Sequence, residues 1–500
     1  MTEHEPKPTV GQLPTVSTAA SHVPNAVTTL CWLLWIVGLG VLAAHIRGGG
    51  PWEIPGIVVV DGLTAVMWTV VGFFAAIVAS YSKRYLAGSQ TIEQFFARVF
   101  AFTLVVMVLV AADSLALFVA AWIAMGLVMA SLIGHNSKWP QAQAAAALAR
   151  RYFLAGGLSL AVAVTGLWWF GDITSVSGVE AAIASLPRPG LVAIATALVV
   201  TAAIQSALLP FHTWLLSSMT APTPASALMH AGFVNAGGIL LVRFAPIVAA
   251  EPAIMAAIVL VGAASALGGK LLKTVTTDAK RALGCSTVGQ MGFMLMQVGL
   301  GFFAAAVAHL IVHGFYKAYQ FLSAGSAIEH TAPRPSEAAA TEPPKSTGLG
   351  GFVAIAATGL AGGALFAWLT GKGTSLDSGL VLTLLVVVTV LHASRDVVRS
   401  SGVPASVRYG AVPLVALPAI AVYAGVYQLV SSRLAALPAV GEPASLTAVH
   451  ILIAAAFLIA YIAVETGVYR RSRRLYVALV NATQPPSNTL LFTTEEYNEQ

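Results

Sequence analysis

The chain has 500 residues, 57% hydrophobic and only 9% charged, with a formal net charge of +6. A soluble domain carries about 25% charged residues, so this composition excludes a soluble globular protein and reads as a polytopic all-α membrane protein. The positive charge is spread over short loops between apolar stretches, which excludes a nucleic-acid-binding patch. The two cysteines, Cys31 and Cys285, both fall in apolar segments without CxxC spacing, which excludes a disulfide framework.

Residues 1–24 are polar and proline-rich, with an acidic start and no basic n-region. They read as a disordered cytoplasmic tail, not a signal peptide. About fourteen stretches then approach the ~20 residues that a membrane-crossing helix needs. They lie near 26–46, 57–81, 95–112, 114–134, 152–170, 190–217, 224–248, 253–275, 282–302, 303–327, 350–371, 378–394, 408–430 and 446–468. Loops after even-numbered stretches, and the tail after the last, hold Lys83, Arg84, Arg98, Lys138, Arg150, Arg151, Lys270, Lys273, Lys280, Arg281, Arg334, Lys345, Arg395, Arg399, Arg408, Arg470, Arg471, Arg473 and Arg474. Only Arg47, Arg188, Arg243, Lys372 and Arg433 lie at the opposite ends. The positive-inside rule therefore places both termini in the cytoplasm. Residues 329–349, rich in Pro, Glu, Ala and Thr, read as a flexible cytoplasmic linker between a first membrane block, 25–328, and a second, 350–470. The tail 471–500 runs from basic to acidic. Its arginines either anchor the last helix at the anionic leaflet or dock a soluble partner, and both readings stand.

Three stretches carry titratable groups into apolar surroundings. In IQSALLPFHTWLLSSMTAPTPASALMHAGFVNAGGILLVRF, residues 204–244, Pro210 removes a backbone hydrogen bond inside an apolar helix, and Pro222 and Pro224 separate it from the next. Broken helices at membrane depth line cavities or bury against protein, and here His212 and His230 flank the break. In TTDAKRALGCSTVGQMG, residues 276–292, Asp278 and Lys280 stand at a helix entry, either as a dipole-complementing cap or as the mouth of a proton path. In AAAVAHLIVHGFYKAYQFLSAGSAI, residues 304–328, His309, His313 and Lys317 recur every fourth residue. On an α-helix they share one stripe that climbs roughly 12 Å. Facing lipid they would cost several kcal/mol, so they should face protein or a water-filled path. Such a stripe either glues helices through hydrogen bonds or relays protons between titratable groups.

These three motifs, in this order, resemble the antiporter-like family of complex I and Mrp-type antiporter subunits, over about residues 110–330. The resemblance implies two inverted five-helix repeats, each with a broken helix, joined by a polar axis onto which His230, Lys280, His309, His313 and Lys317 fall. Asp61, His212 and Asp278 are secondary candidates. Where pumping members of that family carry a Glu after an early core Trp, this chain has Ile123 after Trp122. Where they carry a lysine five residues before the proline of the broken helix, it has Gln205. Within the family, LLPFHTWLLSSM, ALMHAGFVNAGGILLVRFAP and HGFYKAYQFLSAGS are most similar to the DabB membrane subunits of bacterial inorganic-carbon accumulation systems. That likeness implies an inner-membrane subunit that conducts a cation, most simply the proton. Its partner would be a soluble DabA-like, β-carbonic-anhydrase-like subunit on the cytoplasmic face, which holds zinc and hydrates CO2. The alternative is a subunit of an Mrp-type cation/proton antiporter or of a complex I-like pump. This chain has no Cys/His/Asp cluster at zinc spacing, so no metal, cofactor or catalytic residue is expected in it.

Overall fold

The computed structural model describes residues 22–330, 349–398, 405–440, 443–466 and 472–484. Most of the expected N-terminal tail, nearly all of the expected linker and residues 485–500 of the tail lie outside the described residues, as do Arg334, Lys345, Arg399, Arg470 and Arg471. The chain is mostly helical. Helix α1 (His22–Ile46) leads into a short antiparallel hairpin, β1 (Trp52–Ile54) and β2 (Val58–Val60), in which Glu53 pairs with Val59. Then come α2 (Gly62–Tyr85), α3 (Ile92–Ala111), α4 (Leu115–Ile133), α5 (Pro140–Gly171) and the short α6 (Val179–Ala182). The second expected stretch was placed at 57–81, but its first residues belong to the hairpin. Asp61 ends the extended segment, and its carboxylate caps α2 by accepting the Thr64 N–H at 2.8 Å.

Next is the interrupted region. Helix α7 (Arg188–Gln205) stops before Pro210 and is followed by α8 (Thr213–Ser217) and a 3-10 turn to Thr220. Helix α9 (Thr223–Ala231) is broken again by a 3-10 turn at Phe233–Asn235 before α10 (Ala236–Arg243) and α11 (Ala245–Ala249). The second interruption has no proline to announce it. Side chains take up the carbonyls it frees: Gln205 donates to Phe233 O at 3.0 Å and Ser206 to Val234 O at 2.9 Å.

Helices α12 (Pro252–Thr274) and α13 (Ala279–Gly299) pack backbone to backbone. A Cβ on Gly262 would lie 2.7 Å from the Gly292 carbonyl, so only glycine permits this approach. After α14 (Phe303–His330), the remaining helices are α15 (Leu349–Thr370), α16 (Gly379–Val398), α17 (Ala405–Leu434), α18 (Ala448–Thr466) and the amphipathic α19 (Arg473–Thr483). Pro413 and Pro418 lie inside α17 without ending it.

Each of the expected stretches is occupied by helix. Among the described residues, ten helical segments are long and apolar enough to cross a membrane, and Gly379–Leu391 and Ala448–Ala463 are shorter apolar helices. Helices α13 and α14 are not among the ten because glycine, glutamine, histidine and lysine lower their hydropathy. The histidines and the lysine of α14 belong to the candidate site.

Candidate ion-path site

Helix α14 carries the centre of the site. Gly314 sets its position, because a Cβ there would meet Phe74 at 2.8 Å and the Ala231 carbonyl at 2.9 Å. This close approach brings the stripe of α14 against the end of α9, where His230 sits. His309, His313, Lys317 and His230 are all buried, and Lys317 is wholly inaccessible. The rings of His309 and His313 lie 5.9 Å apart between centroids, and Phe293 packs on His309 at 5.2 Å. His230 stacks on Phe321 at 4.4 Å.

The hydrogen bonds fix how these groups are held. Lys317 Nζ donates to Leu283 O at 3.1 Å. The Thr287 hydroxyl donates to the same carbonyl at 3.0 Å, so it is free only to accept from His230 Nδ1–H, also at 3.0 Å. His230 is thus held as the Nδ1–H tautomer with a bare Nε2. Among the described residues, His230 Nε2, His309 Nε2 and both ring nitrogens of His313 have no hydrogen-bond partner. Buried polar atoms in a folded protein are normally paired, so this run of ring nitrogens sets the column apart from the surrounding core. Among the described residues Lys317 pairs with no carboxylate, and the ion pairs are Arg188–Glu251 and Asp61–Arg243.

The other expected residues fall in three places. Lys280, at the start of α13, donates to Ala221 O at 3.0 Å, between the α8 turn and α9, and lies within electrostatic reach of His230. It therefore stands at the basic end of the column. Asp278 beside it accepts the Arg281 N–H at 2.6 Å and is a helix cap. His212 lies apart from the column. One ring nitrogen faces Pro210 O at 3.2 Å and the other Ala482 O at 3.0 Å, so it ties α19 to the helix break. Asp61 sits on the far side with the hairpin. Burial works against its charge, but the Arg243 guanidinium and the Thr64 N–H hold its pKa below the usual carboxylate value. Arg243 also donates to the Thr64 hydroxyl and to Val110 O, each at 2.6 Å.

Two positions where the family resemblance implies charge are neutral and packed. Ile123 lies against Gly157, and Gln205 spends its amide on Phe233 O. Sequence reasoning missed Thr287 and Asn235. Thr287 sits in the quoted CSTVGQ run, seven residues after Lys280, and Asn235 in FVNAGG, five residues after His230. Neither titrates, so nothing in a search for titratable groups points to it. No group of three or more His, Cys, Asp or Glu gathers as a metal holder among the described residues.

Residues 112–340 match the family described as NADH:quinone oxidoreductase/Mrp antiporter, transmembrane. The chain is 38% identical over 276 residues to a probable inorganic carbon transporter subunit DabB1 of Halothiobacillus neapolitanus, covering 54% of this chain and 49% of the relative. It is 38% identical over 303 residues to a probable DabB of Bacillus subtilis, covering 59% and 57%. It is also 34% identical over 276 residues to NADH-quinone oxidoreductase subunit L of Mycobacterium tuberculosis, covering 54% and 43%. The chain thus spans about half the length of the curated relatives it matches. A chain in the solved Mrp complex of Dietzia sp. DQ12-45-1b has the same fold, with TM-score 0.56 and 23% identity over 96% of this chain and 53% of that one. The His230–Lys317 column therefore lies in a segment that matches the antiporter-type transmembrane family, in a multi-pass membrane chain that resembles DabB inorganic carbon transporter subunits and their complex I and Mrp relatives.

Proposed function

We propose that this chain is the cation-conducting membrane subunit of an energy-coupled inorganic carbon transporter, with the proton as the conducted ion. Lys280, His230, Lys317, His313 and His309 form the path, from the basic loops toward the opposite face. The observation that carries this reading is the buried column itself: two histidines and a lysine in register on α14, a third histidine brought against them by Gly314, and orphaned ring nitrogens along the line. Similarity to inorganic carbon transporter subunits supports the transport role, and in this proposal a soluble partner hydrates CO2, holds the zinc and docks on the cytoplasmic face of a bacterial inner membrane. Conduction down a gradient needs a path but no pump stroke, which agrees with neutral Ile123 and Gln205. A second reading, a subunit of an Mrp-type antiporter, draws on the fold shared with the Mrp complex.

The test is carbon uptake by cells expressing the subunit with its partner. Lys317→Arg keeps the charge but cannot release its proton, and His313→Gln keeps hydrogen bonding without titration. Both should reduce uptake to background while the protein still reaches the membrane. Full uptake by both variants would mean that the column is structural. Uptake that survives a protonophore but stops when sodium is replaced would assign the ion as sodium.

A further inference from the structure

The column has an unassigned continuation toward the face opposite the basic loops. At the second helix interruption, Asn235 is 2% exposed, and its Nδ2 is pinned to Ala231 O at 2.7 Å, the carbonyl next to His230. That bond fixes the amide, and the opposing Oδ1 has no partner among the described residues. Asn235 lines a cavity of about 50 Å³ in the core, together with Thr103, Ala231, Leu310 and Val110. Ala231 follows His230 and Leu310 follows His309, so the cavity abuts the column. Val110 lies toward its other end, where the carbonyl of that residue accepts from Arg243, the partner of Asp61. Beyond that ion pair a second cavity of about 290 Å³, lined by both its members, is bordered by Glu53, Asp113 and Glu180 and also by His45 and Arg433, so carboxylates outnumber basic groups in its wall.

We infer that these two cavities in series carry the conducted proton between the column and the opposite face: Asn235 holds water in the inner cavity, and the Asp61–Arg243 pair separates it from a carboxylate-lined vestibule. This inference rests on the conduction reading. The inner cavity has volume for a few waters, since one needs only about 10–15 Å³ of such space. In its largely apolar wall, which includes Phe74, Phe102 and Met125, a water would be held by Asn235 Oδ1 and the Thr103 hydroxyl, which donates to Val99 O and is left to accept. One amide oxygen and one hydroxyl do not make the six-oxygen shell that a bare hard cation prefers, so protons on water fit this cavity better. The carboxylates of the vestibule concentrate cations at its mouth. Asn235 is a positioning residue, acting through the water it holds.

The experiment uses the full chain with its partner, with Cys31 and Cys285 replaced by alanine. Val110→Cys is then exposed to Ag⁺, a small cation that reaches a thiol only through water. Proton flux in Val110→Cys should fall at least tenfold on adding Ag⁺ and stay unchanged in the cysteine-free parent. Asn235→Leu should lower flux to a similar extent, and Asn235→Gln, which keeps both an amide donor for Ala231 O and an acceptor oxygen, should restore it in part. If Val110→Cys does not assemble, Ile239→Cys offers a thiol in the same cavity. Flux that is indifferent to Ag⁺ in a conducting cysteine variant overturns the route. His313→Gln separates the two ideas: if it stops flux while Ag⁺ does nothing, only the route falls, and if it leaves flux intact, the conduction reading falls.

Discussion

Lys317 illustrates how a single charged residue is made tolerable in this core. Among the described residues its ammonium meets no carboxylate and donates to the Leu283 carbonyl. Asp61 is the contrast: it is locked in a buried pair with Arg243, whose guanidinium is further held by Thr64 and Val110. One group is held by a single carbonyl and the other by an ion pair with further hydrogen bonds around it. His135, at the basic end of α4, shows a third arrangement. Arg98 donates to its Nδ1 at 3.1 Å, so its Nε2–H donates to Thr91 at 3.0 Å, and the ring is held neutral. Burial, and then the Arg98 charge, lower its pKa below the usual 6.5. A group with a depressed folded pKa contributes stability that is complete above the unfolded value and is lost as pH falls. The loop around His135 should therefore exchange amide hydrogens faster as pH drops below about 6.5, after correction for intrinsic rates. His135→Phe should remove that pH dependence. A loop whose protection is flat between pH 7.5 and 5 in the unaltered protein would contradict the neutral-ring assignment.

At the scale of elements, the site depends on how closely α14 meets α9 and α2. Spacing in the sequence places His309, His313 and Lys317 on one stripe, but it does not say what that stripe faces. The missing side chain at Gly314 decides this, because any larger residue would push against Phe74 and the Ala231 carbonyl. Gly314→Val should destabilise the protein by about 1–3 kcal/mol through overpacking and should lower conduction by moving His313 away from His230. Gly40 on α1 is the control, since a Cβ there meets nothing within 4 Å. Gly40→Ala should be neutral or stabilising by up to about 1 kcal/mol. Thermal unfolding in detergent reads both effects, and equal shifts for the two variants would show that the α14–α9 approach is not tight.

For the whole molecule, helices after the expected linker pack directly onto those before it. The Ser378 hydroxyl donates to Leu300 O at 2.6 Å, the Tyr423 hydroxyl donates to Ala305 O at 3.2 Å, and apolar residues from both parts belong to one core cluster. Helix α19 returns to the helix break on the first part. Its Leu479 and Ala482 pack beside Leu216, Leu272 and Cys285, while Arg473, Arg474 and Tyr476 stay exposed. This places a basic, exposed helix face next to the Lys280 end of the column. Crosslinks between this chain and a co-purified soluble partner should accordingly fall on α19 and the basic loops, such as Lys138 and Lys83. Crosslinks confined to the loops at 171–189 or 434–445 would reverse the topology.

Class, approximate spans and the α14 stripe were legible in the sequence because composition and helical spacing are local properties. So was the first helix break, because Pro210 cannot continue a helix. The break at Phe233–Asn235 was not legible: it is stabilised by Gln205 and Ser206, residues nearly thirty positions away. The role of Asp278 was open to a local reading, since it caps its own helix through Arg281 three residues on, but that of Asp61 depended on a distant partner, Arg243, more than 180 positions away in the chain. His212 was drawn to α19 instead of the column. Local chemistry determines which residues can carry charge in a membrane. Only packing between remote helices decides which of them meet, because a buried group takes its role from the partners it finds.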